Sequence, residues 1–411
     1  MKKLLLPLLG ILPLLSFAGG FQVNLQGTKQ TGMGHLGTSF HLGASSAFFN
    51  PSMMGLDPNK FSIEAGANFI SSSVQFQNGR TGVSEFTDNP LGTPFYLYAT
   101  YKINDKLSAG LAVYTPFGST VVWGDDWSGK YLIQDISLSA IFIQPTLSYN
   151  ISDKLRVGAG FAIVQGKVEI NKALPVPIGN TSTVNLQGSA SSLLPSYSSF
   201  GFNAGIHYDV NDEFSIGLTH RSKVDVELDD GVADYSKDPV LVSSFPDGKF
   251  SADLPLPGTT TLGIAYNVSE KLLLSLEGSF VQWSDYQSLD FDFSPNTSSL
   301  QDSENERNYE DAMIFRIGAQ YSYNEMFDFR AGFYYDQSPI QDEYFNPETP
   351  NSDNIGLTLG LSGHIGERFG FDASFLYVIG TERESEYQPA NFGGTYASRS
   401  SIVGLGVNYN F

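Results

Sequence analysis

The sequence contains no cysteine among its 411 residues, so neither disulfides nor thiolate metal sites stabilise the fold. Its five histidines are scattered, and none stands at metal-ligand spacing from another with an acidic partner. We therefore predict no metal and no cofactor. The composition is strongly acidic, with a formal net charge of -20, which argues against nucleic acid as a partner.

Charged residues are also scarce, at 16%, where soluble domains have about 25%. Apolar runs of about 18 residues, which membrane helices need, are absent after the first residues. The start of the chain has a basic Lys2-Lys3 pair, a short apolar run from Leu4 to Phe17 and a small-x-small motif ending at Ala18. This pattern is typical of a secretory signal peptide. We predict that residues 1–18 are removed from an exported protein.

The sequence is rich in aromatic residues (13%) and in segments that alternate apolar with polar or small residues. In FDFRAGFYYD, the residues Phe327, Phe329, Ala331, Phe333 and Tyr335 share one face of a strand. Segments of about ten such residues, separated by turns, are the pattern of membrane-spanning β-barrels. A water-soluble β-sandwich would also alternate. Here, however, the second face holds mainly Gly, Ser, Thr, Asn and charges, which do not pack a dry core.

Short polar turns and long acidic loops follow each other regularly between these segments. Six short turns and seven long loops connect fourteen strands, an even number as in single-chain bacterial barrels. We predict an all-β transmembrane barrel of fourteen antiparallel strands over residues 60–411. The predicted strands start near residues 60, 94, 107, 137, 154, 197, 213, 259, 271, 311, 326, 354, 369 and 400.

Residues 19–59 do not alternate and are too long for an ordinary loop. They form either a flexible periplasmic tail or a compact plug inside the barrel. The lumen of a fourteen-strand barrel is too wide for side chains alone to fill. Apolar residues such as Phe40, Phe48, Phe49 and Met53 would be poorly placed in a free tail. We therefore predict an N-terminal hatch, or plug, in the lumen.

Several segments carry a resemblance to a known family when taken in order over the chain. They are GGFQVN at the predicted mature start, the Asn-Pro of FFNPSMMG, YTPFGSTVVWGDDWSGKY at 114–131, HRSKVDVEL at 220–228, LPLPGTTTLGIAY at 254–266 and FYYDQSPIQDEYFNPETPNSD at 333–353. From Gly19 to Phe411 the chain resembles the FadL/TodX family of outer-membrane transporters for long-chain fatty acids and other hydrophobic compounds.

The resemblance implies a monomer in the outer membrane of a Gram-negative bacterium, surrounded by its lipids. A hydrophobic ligand would be captured between extracellular loops and would move to a pocket at the mature N-terminus. The hatch would then shift, and the ligand would leave sideways through the barrel wall near the third strand. No energy source is implied, and the cargo is a long-chain fatty acid or a similar hydrophobic compound.

The resemblance also assigns roles to residues near the N-terminus and the third strand. Phe21 would line the ligand pocket, and Asn50 and Pro51 would fix a turn of the hatch. Ser52 departs from the alanine that the family has after this Asn-Pro. Pro116 removes an N–H from the third strand, with Gly118 close behind. These two residues mark either the lateral gate or merely the outer end of the strand.

A fatty acid carboxylate in an apolar pocket needs a cation. The resemblance indicates Lys167, although alternation would make it face lipid unless Gly166 forms a bulge. Where relatives have a second basic residue this chain has Glu310, so Arg316, inward by alternation, is the substitute candidate; a lumen charge paired with an acidic residue is the alternative. This departure keeps aromatic hydrocarbons open as cargo.

Trp123 and Trp127 follow the third strand and would line the capture groove or belong to an interfacial aromatic belt. Three other functions compete with hydrophobic uptake. A general porin would lack the plug and conduct steadily. An outer-membrane enzyme would need a nucleophile with a positioned base, and no recognisable motif supplies one. A structural or adhesive barrel would act through its acidic loops.

Overall fold

The computed structural model describes residues 20–175, 183–190, 199–236, 241–366 and 368–411. The predicted signal peptide, residues 1–18, lies outside these ranges. Fourteen strands form the wall, and we number them in chain order. They are β1 (Phe61–Asn78), β2 (Phe95–Lys102), β3 (Leu107–Val122), β4 (Asp135–Asn150), β5 (Leu155–Ala173), β6 (Ser199–Asp209), β7 (Phe214–Arg221), β8 (Thr259–Ser269), β9 (Leu272–Val281), β10 (Ala312–Ser322), β11 (Phe327–Asp336), β12 (Asn354–Ile365), β13 (Phe369–Gly380) and β14 (Phe392–Asn410).

Each wall strand pairs antiparallel with its neighbours in the chain, and the last strand pairs with the first. The closing ladder between β1 and β14 is long, running from Ser62 opposite Asn410 to Asn78 opposite Gly394. Closure matters in hydrocarbon because an open edge leaves unpaired N–H and C=O groups that cost several kcal/mol each. The predicted closed fourteen-strand barrel is confirmed.

The wall shows the period-two alternation that the sequence predicts. On β11, Phe327, Phe329 and Phe333 face outward and are exposed, whereas Arg330 and Asp336 point inward and are buried. The other wall strands follow the same pattern, so the outer face is apolar and the lumen face is polar or small. In the described residues no helix is long and apolar enough to cross a membrane.

The predicted strand starts agree with the structure to within two residues in thirteen of the fourteen strands. The exception is β14, which begins at Phe392 and not near residue 400. Its first half, FGGTYASRS, is small and polar and lacks alternation, so the sequence does not mark it as a strand. It is held in the sheet by pairing with the equally long upper half of β1. The loop before β14 is therefore shorter than the predicted strand start near residue 400 implies.

The long connections lie at one end of the barrel and contain further strands that extend the sheet beyond the wall. In the described residues these are Ser84–Phe86, Thr183–Ala190, Val224–Ser236, Gly248–Leu256, Asp292–Ser294 and Arg383–Tyr387. Short 3-10 turns at Trp283–Asp285, Asp342–Tyr344 and Gln388–Ala390 complete these loops. The largest buried apolar cluster includes residues of these loops, such as Leu228, Phe250 and Tyr286. The loops therefore pack over the barrel as a second apolar layer.

The N-terminal segment, which we define as residues 21–57, is short of regular structure and almost wholly buried. It contains two single-turn helices, α1 (Thr28–Thr31) and α2 (Ser46–Phe49), and a 3-10 helix at Pro51–Leu56. Its side chains and backbone contact inward-facing residues of wall strands around the barrel. Gly37 and Thr38 donate backbone N–H bonds to Glu277 on β9, for example, and Asn203 on β6 donates to the carbonyl of Phe48.

Candidate functional site: a cavity that crosses the barrel wall

The site begins where the chain departs from regular sheet structure on β3. Between the pairs Tyr114–Phe142 and Phe117–Ala140, two residues of β3 stand opposite one of β4, which is a β-bulge. Pro116 is one of the two. Because proline has no N–H and a bulge turns backbone groups out of the ladder, part of the edge of β3 is left to pair elsewhere.

The N-terminal segment supplies the partners for this edge. The N–H of Val23 donates to the carbonyl of Pro116 (2.8 Å), and the N–H of Gly118 donates to the carbonyl of Phe21 (3.1 Å). Gln22 and Phe117 form the bridge between these two bonds. The first residues of the segment therefore act as a short additional strand on β3, and this pairing fixes the position of the Phe21 side chain.

Phe21 is buried among aromatic rings that come from different parts of the chain. Its ring centroid lies 6.1 Å from Phe117, 4.9 Å from Trp283 and 5.7 Å from Tyr286, each with edge-to-face geometry. Burial raises the pKa of Tyr286, so this ring stays neutral at physiological pH. Phe21 thus marks an uncharged aromatic pocket beneath the loops.

A cavity of about 530 Å³ opens beside Phe21 and extends through the wall. Its lining includes the buried residues Phe21 and Leu138, and also Ser137 and Ser139, which alternate with Leu138 and face outward on β4. Residues from both faces of the wall therefore line one continuous space. This space connects the aromatic pocket to the outer surface of the barrel.

The wall opens at this place because β2 is short. It has 8 residues, between 18 in β1 and 16 in β3, so the upper halves of β1 and β3 lack a common neighbour strand. The loop before β2 spans this interval and bonds along β1, from Pro94 with Asn68 to Thr87 with Val74. Among the described residues, its bonds to β3 are confined to Val122. Its Gly92 pairs with Ile70 of β1, and its Asp88 donates to the carbonyl of Val122 on β3. The opening lies between these contacts.

A second, much smaller cavity of about 20 Å³ adjoins the first and shares Phe21, Ser119, Leu138 and Thr349 with it. Most of its remaining lining is apolar and comes from β4, β5 and the loops. These residues are Ile136, Val168, Leu228, Leu254, Tyr286, Leu289 and Phe291, and Glu348 adds a charged side chain to them. The two cavities therefore adjoin at Phe21, beneath the apolar loop layer.

Lys167 and Arg316, the two residues that the sequence suggests as partners for a cargo carboxylate, lie on opposite faces of the wall. Lys167 faces outward on β5, as alternation predicted, with a side chain 64% exposed and its Nζ 3.7 Å from Glu169. Arg316 is buried in the lumen and donates to Ser279 Oγ (2.7 Å) and, at 3.4 Å, to Asn24 of the N-terminal segment. Neither residue lines the two cavities described above. A contact of either residue with cargo stays a prediction.

Arg221 of β7 contacts the N-terminal segment. Its guanidinium stacks on the Phe48 ring at 3.7 Å from the centroid and donates to the Phe48 carbonyl. Near Phe21, the loop residue Arg307 is paired with Glu348. Burial opposes its charge, but the carboxylate of Glu348 raises the pKa of Arg307 overall. The buried cations therefore already have partners within the protein.

Asn50 and Pro51 start the 3-10 helix of the N-terminal segment. The Asn50 Oδ1 accepts from the N–H and the hydroxyl of Ser52, while its Nδ2 donates to the carbonyls of Thr38 (2.8 Å) and Ile206 (3.1 Å). One amide side chain therefore caps the turn and joins it both to another part of the segment and to β6. Ser52, which departs from the family pattern, adds a bond to this turn.

Trp123 and Trp127 stack on each other at 4.4 Å between ring centroids and are both buried. Their indole N–H groups donate to the carbonyls of Pro347 and Ile133. They belong to an aromatic cluster with Phe76 and Phe392 that joins the upper ends of β1 and β14 to the loops. A role in cargo capture stays a prediction for both residues.

Sequence reasoning missed several residues of the site. Trp283 and Tyr286 lie more than 250 positions from Phe21 in the chain, and nothing in their local sequence indicates this contact. Arg399, the one charged residue among the described residues that line the larger cavity, falls in the first half of β14, which the sequence does not mark as a strand. The shortness of β2 was visible in the predicted strand starts near 94 and 107 and could have indicated the opening.

A closed barrel with an apolar outer face, a filled lumen and a side opening defines a membrane-spanning transport barrel. Residues 12–411 match the family described as "Outer membrane protein transport protein (OMPP1/FadL/TodX)". The chain belongs to this family, whose members are transport proteins of the Gram-negative outer membrane and not enzymes.

Relatives and solved structures agree with this assignment. The chain is 24% identical over 430 residues to the "Long-chain fatty acid transport protein" of Escherichia coli O6:H1, covering 96% of this chain and 95% of that protein. A FadL homologue from Pseudomonas aeruginosa superimposes with a TM-score of 0.82 at 19% identity, over 96% and 100% of the two chains. The Ralstonia pickettii toluene transporter TbuX gives 0.71 at 20%, over 94% and 99%. These structural likenesses show the fold.

Proposed function

We propose that the protein takes up long-chain fatty acids or similar hydrophobic compounds passively across the outer membrane. The observation that carries the proposal is the cavity that joins the aromatic pocket at Phe21 to the outer face of the wall. A hydrophobic compound that enters from outside gains by remaining in such a space, because leaving it for water would expose its apolar surface. The names of relatives, one a fatty acid transporter and one a toluene transporter, support a hydrophobic cargo.

In the proposed route, cargo enters through the loop layer, reaches Phe21, and leaves through the opening between β1 and β3 into the membrane. Pro116 and Gly118 belong to the lateral gate, since both bond to the N-terminal segment beside the opening. The N-terminal segment acts as the hatch, with Asn50 and Pro51 holding its central turn. Cargo at Phe21 would compete with the contacts that keep residues 21–23 on β3. All these parts come from one chain, so a monomer suffices.

Aromatic hydrocarbons are the second candidate cargo. The rings of Phe117, Trp283 and Tyr286 surround Phe21 edge-on, and aromatic pairs in this geometry are worth about 0.5–1.5 kcal/mol beyond area burial. A small aromatic compound could use the same edge and face contacts. A general porin fits less well, because the N-terminal segment fills the lumen with buried residues such as Met33 and Leu36.

The test blocks the route at Ser119, one of the four residues that line both cavities. Ser119→Trp places a large ring between the pocket and the opening. Ser73→Trp, outward on β1 and outside both cavity linings, is the matched control. We expect Gram-negative cells that express the Ser119 variant to lose most uptake of labelled oleate, relative to cells with the wild type. Cells with the Ser73 variant should take up labelled oleate as fast as cells with the wild type. Equal uptake by both variants would contradict the proposed route.

A further inference from the structure

The side opening is bounded on one side by the loop before β2, of which we call residues 87–94 the strap. The strap lies along the upper half of β1 and leads directly into β2, so it faces β3 across the opening. Asn89, Pro90 and Thr93 of the strap line the cavity, and so do residues 117–121 of β3. The two edges of the opening are therefore the strap and the upper half of β3.

The strap is held unequally by its two neighbours. Its hydrogen bonds to β1 run along its length, from Thr87 to Pro94. Its bonds to β3, among the described residues, involve Val122 alone. The Val122 carbonyl accepts from the N–H of Asp88 (2.8 Å), and the Val122 N–H donates to Asn89 Oδ1 (2.9 Å). The strap can therefore part from β3 while its pairing with β1 stays intact.

Below Val122 the two edges stand apart. In the described part of the chain, no hydrogen bond joins the strap to residues 116–121 of β3. The edges meet again where β2 begins, because the Thr115 hydroxyl bonds to the N–H (3.2 Å) and the carbonyl (3.3 Å) of Phe95. The opening is thus a slit along residues 116–121, and the bonds at Val122 close its upper end.

Asn89 spans this upper end with a single side chain. Its Oδ1 accepts from the N–H of Val122 on β3, and its Nδ2 donates to Ser72 Oγ on β1 (3.1 Å). A backbone N–H can only donate, so the bond from Val122 fixes which end of the amide points to β3. The side chain is half-buried and lines the cavity. One amide therefore joins β1, the strap and β3 at the level where β2 is missing.

We propose that the Asn89 side chain is a clasp that sets the width of the side opening, and thereby the bulk of the cargo that can leave through it. This inference rests on the proposed function. With the clasp closed, a slim hydrocarbon chain passes between the strap and β3. A cargo with fused rings is wider and requires the strap to part from Val122. Asn89 is thus a specificity-determining residue at the exit, separate from the aromatic pocket at Phe21.

The first test compares a bulky cargo with a slim one in Gram-negative cells that express the full-length protein. The bulky probe is dodecanoate with a pyrenyl group at its far end, and the slim probe is oleate. Asn89→Ala removes the bonds of the clasp, each of modest net free energy. We therefore expect initial uptake of the pyrenyl probe to rise about three- to tenfold, and uptake of oleate to change by less than about twofold. A variant that merely damaged the fold would lower the uptake of both probes.

Two further variants serve as controls. Asn89→Asp keeps an acceptor for the Val122 N–H and can accept from the Ser72 hydroxyl, so its uptake of the pyrenyl probe should stay close to that of the wild type. Asn171→Ala removes an amide that donates to Asp135 (2.8 Å) outside both cavity linings, and it should change neither uptake. Unchanged or lower uptake of the pyrenyl probe in Asn89→Ala would overturn the inference. An Asp variant that admits this probe as readily as the Ala variant would do the same.

The second test measures the opening without transport. The sequence has no cysteine, so Ser400→Cys in the cavity lining supplies a single thiol. In the purified full-length protein in dodecyl maltoside, Asn89→Ala should speed the reaction of this thiol with N-pyrenylmaleimide about three- to tenfold. Its reaction with N-ethylmaleimide should stay unchanged. Equal rates of pyrenyl labelling with and without Asn89→Ala would overturn the inference.

Failure of the proposed function gives a different result. In that case, cells that express the wild type would take up oleate no faster than cells without the protein. The labelling rates would still decide whether Asn89 sets the width of the opening. A wild type that transports oleate, with an Asn89→Ala variant that neither admits the pyrenyl probe nor labels faster, would remove the clasp alone.

Discussion

Asn50 makes four hydrogen bonds within the N-terminal segment and to the wall, and two of them require that its side chain donate. In Asn50→Asp the shape is kept, but a carboxylate then faces the carbonyls of Thr38 and Ile206. We expect the segment to be destabilised by about 2–4 kcal/mol, from two lost bonds and the buried charge. More frequent opening events in planar bilayers would show this.

The matched control for this substitution is Asn104→Asp in the short turn before β3. There the side chain only accepts, from the N–H groups of Lys106 and Leu107, so aspartate can replace it. We expect this variant to show as few opening events in planar bilayers as the wild type. If Asn50→Asp also opened no more often than the wild type in planar bilayers, the Asn50 bonds would not hold the segment in place.

Glu277 is the principal wall acceptor for the middle of the N-terminal segment. Its carboxylate accepts from the backbone N–H groups of Gly37 and Thr38 and from the Thr38 hydroxyl. Glu277→Ala leaves these buried donors without a partner, at about 1–3 kcal/mol for each unsatisfied group. We expect faster proteolysis of the segment in detergent-solubilised protein. Glu213→Ala in an exposed turn is the control, and equal proteolysis of the two variants would contradict the assigned role.

At the scale of elements, the bulge of β3 connects the wall to the N-terminal segment. Thr115 and Pro116 together stand opposite Ile141, so deleting Pro116 would restore a regular ladder and still leave Tyr114 and Phe117 facing inward. The deletion would also remove the carbonyl that binds Val23. We expect the barrel to assemble, as shown by heat-dependent mobility in gel electrophoresis, while oleate uptake falls several-fold.

Pro116→Ala separates the bulge from the proline ring. This substitution keeps the length of β3 and the carbonyl at position 116, so uptake should remain close to that of the wild type. Full uptake by the deletion variant would show that the bulge is not needed for exit. Loss of uptake in Pro116→Ala would instead assign the effect to the ring and its missing N–H.

At the scale of the whole molecule, the barrel is a closed wall around a chain segment that is not part of it. Deleting residues 19–58 from the mature protein removes the buried lumen contents but none of the wall ladders. We expect this variant to change a nearly closed barrel into one that conducts steadily in planar bilayers. A barrel of this strand number is wide enough to hold water once the segment is gone. Unchanged conductance would contradict the hatch.

The wall could be predicted from the sequence because its determinants are local. Outward faces such as Phe327, Phe329 and Phe333 follow a period of two, and short turns such as Asn104–Lys106 mark the strand ends. The first half of β14 could not be predicted in this way. Its strand structure depends on pairing with β1, which lies more than 300 residues away in the chain.

The site was predictable only in part. Phe21 was identified because the resemblance singled it out, and Pro116 because a proline removes an N–H from the third strand. The structure brings both to the same cavity or its edge. Lys167 was singled out by the resemblance as a partner for a carboxylate, and the structure places its side chain on the outer face of β5 beside Glu169.

The sequence by itself therefore determined the number of wall strands, where most of them start and which faces they present, because alternation and turns are properties of neighbouring residues. Export of the chain stays a prediction. Tertiary structure decided what the lumen and the opening contain. Trp283 and Tyr286 meet Phe21, and Arg399 meets the cavity, because long loops fold back and the barrel closes on itself. Such contacts join residues hundreds of positions apart, and no local pattern records them.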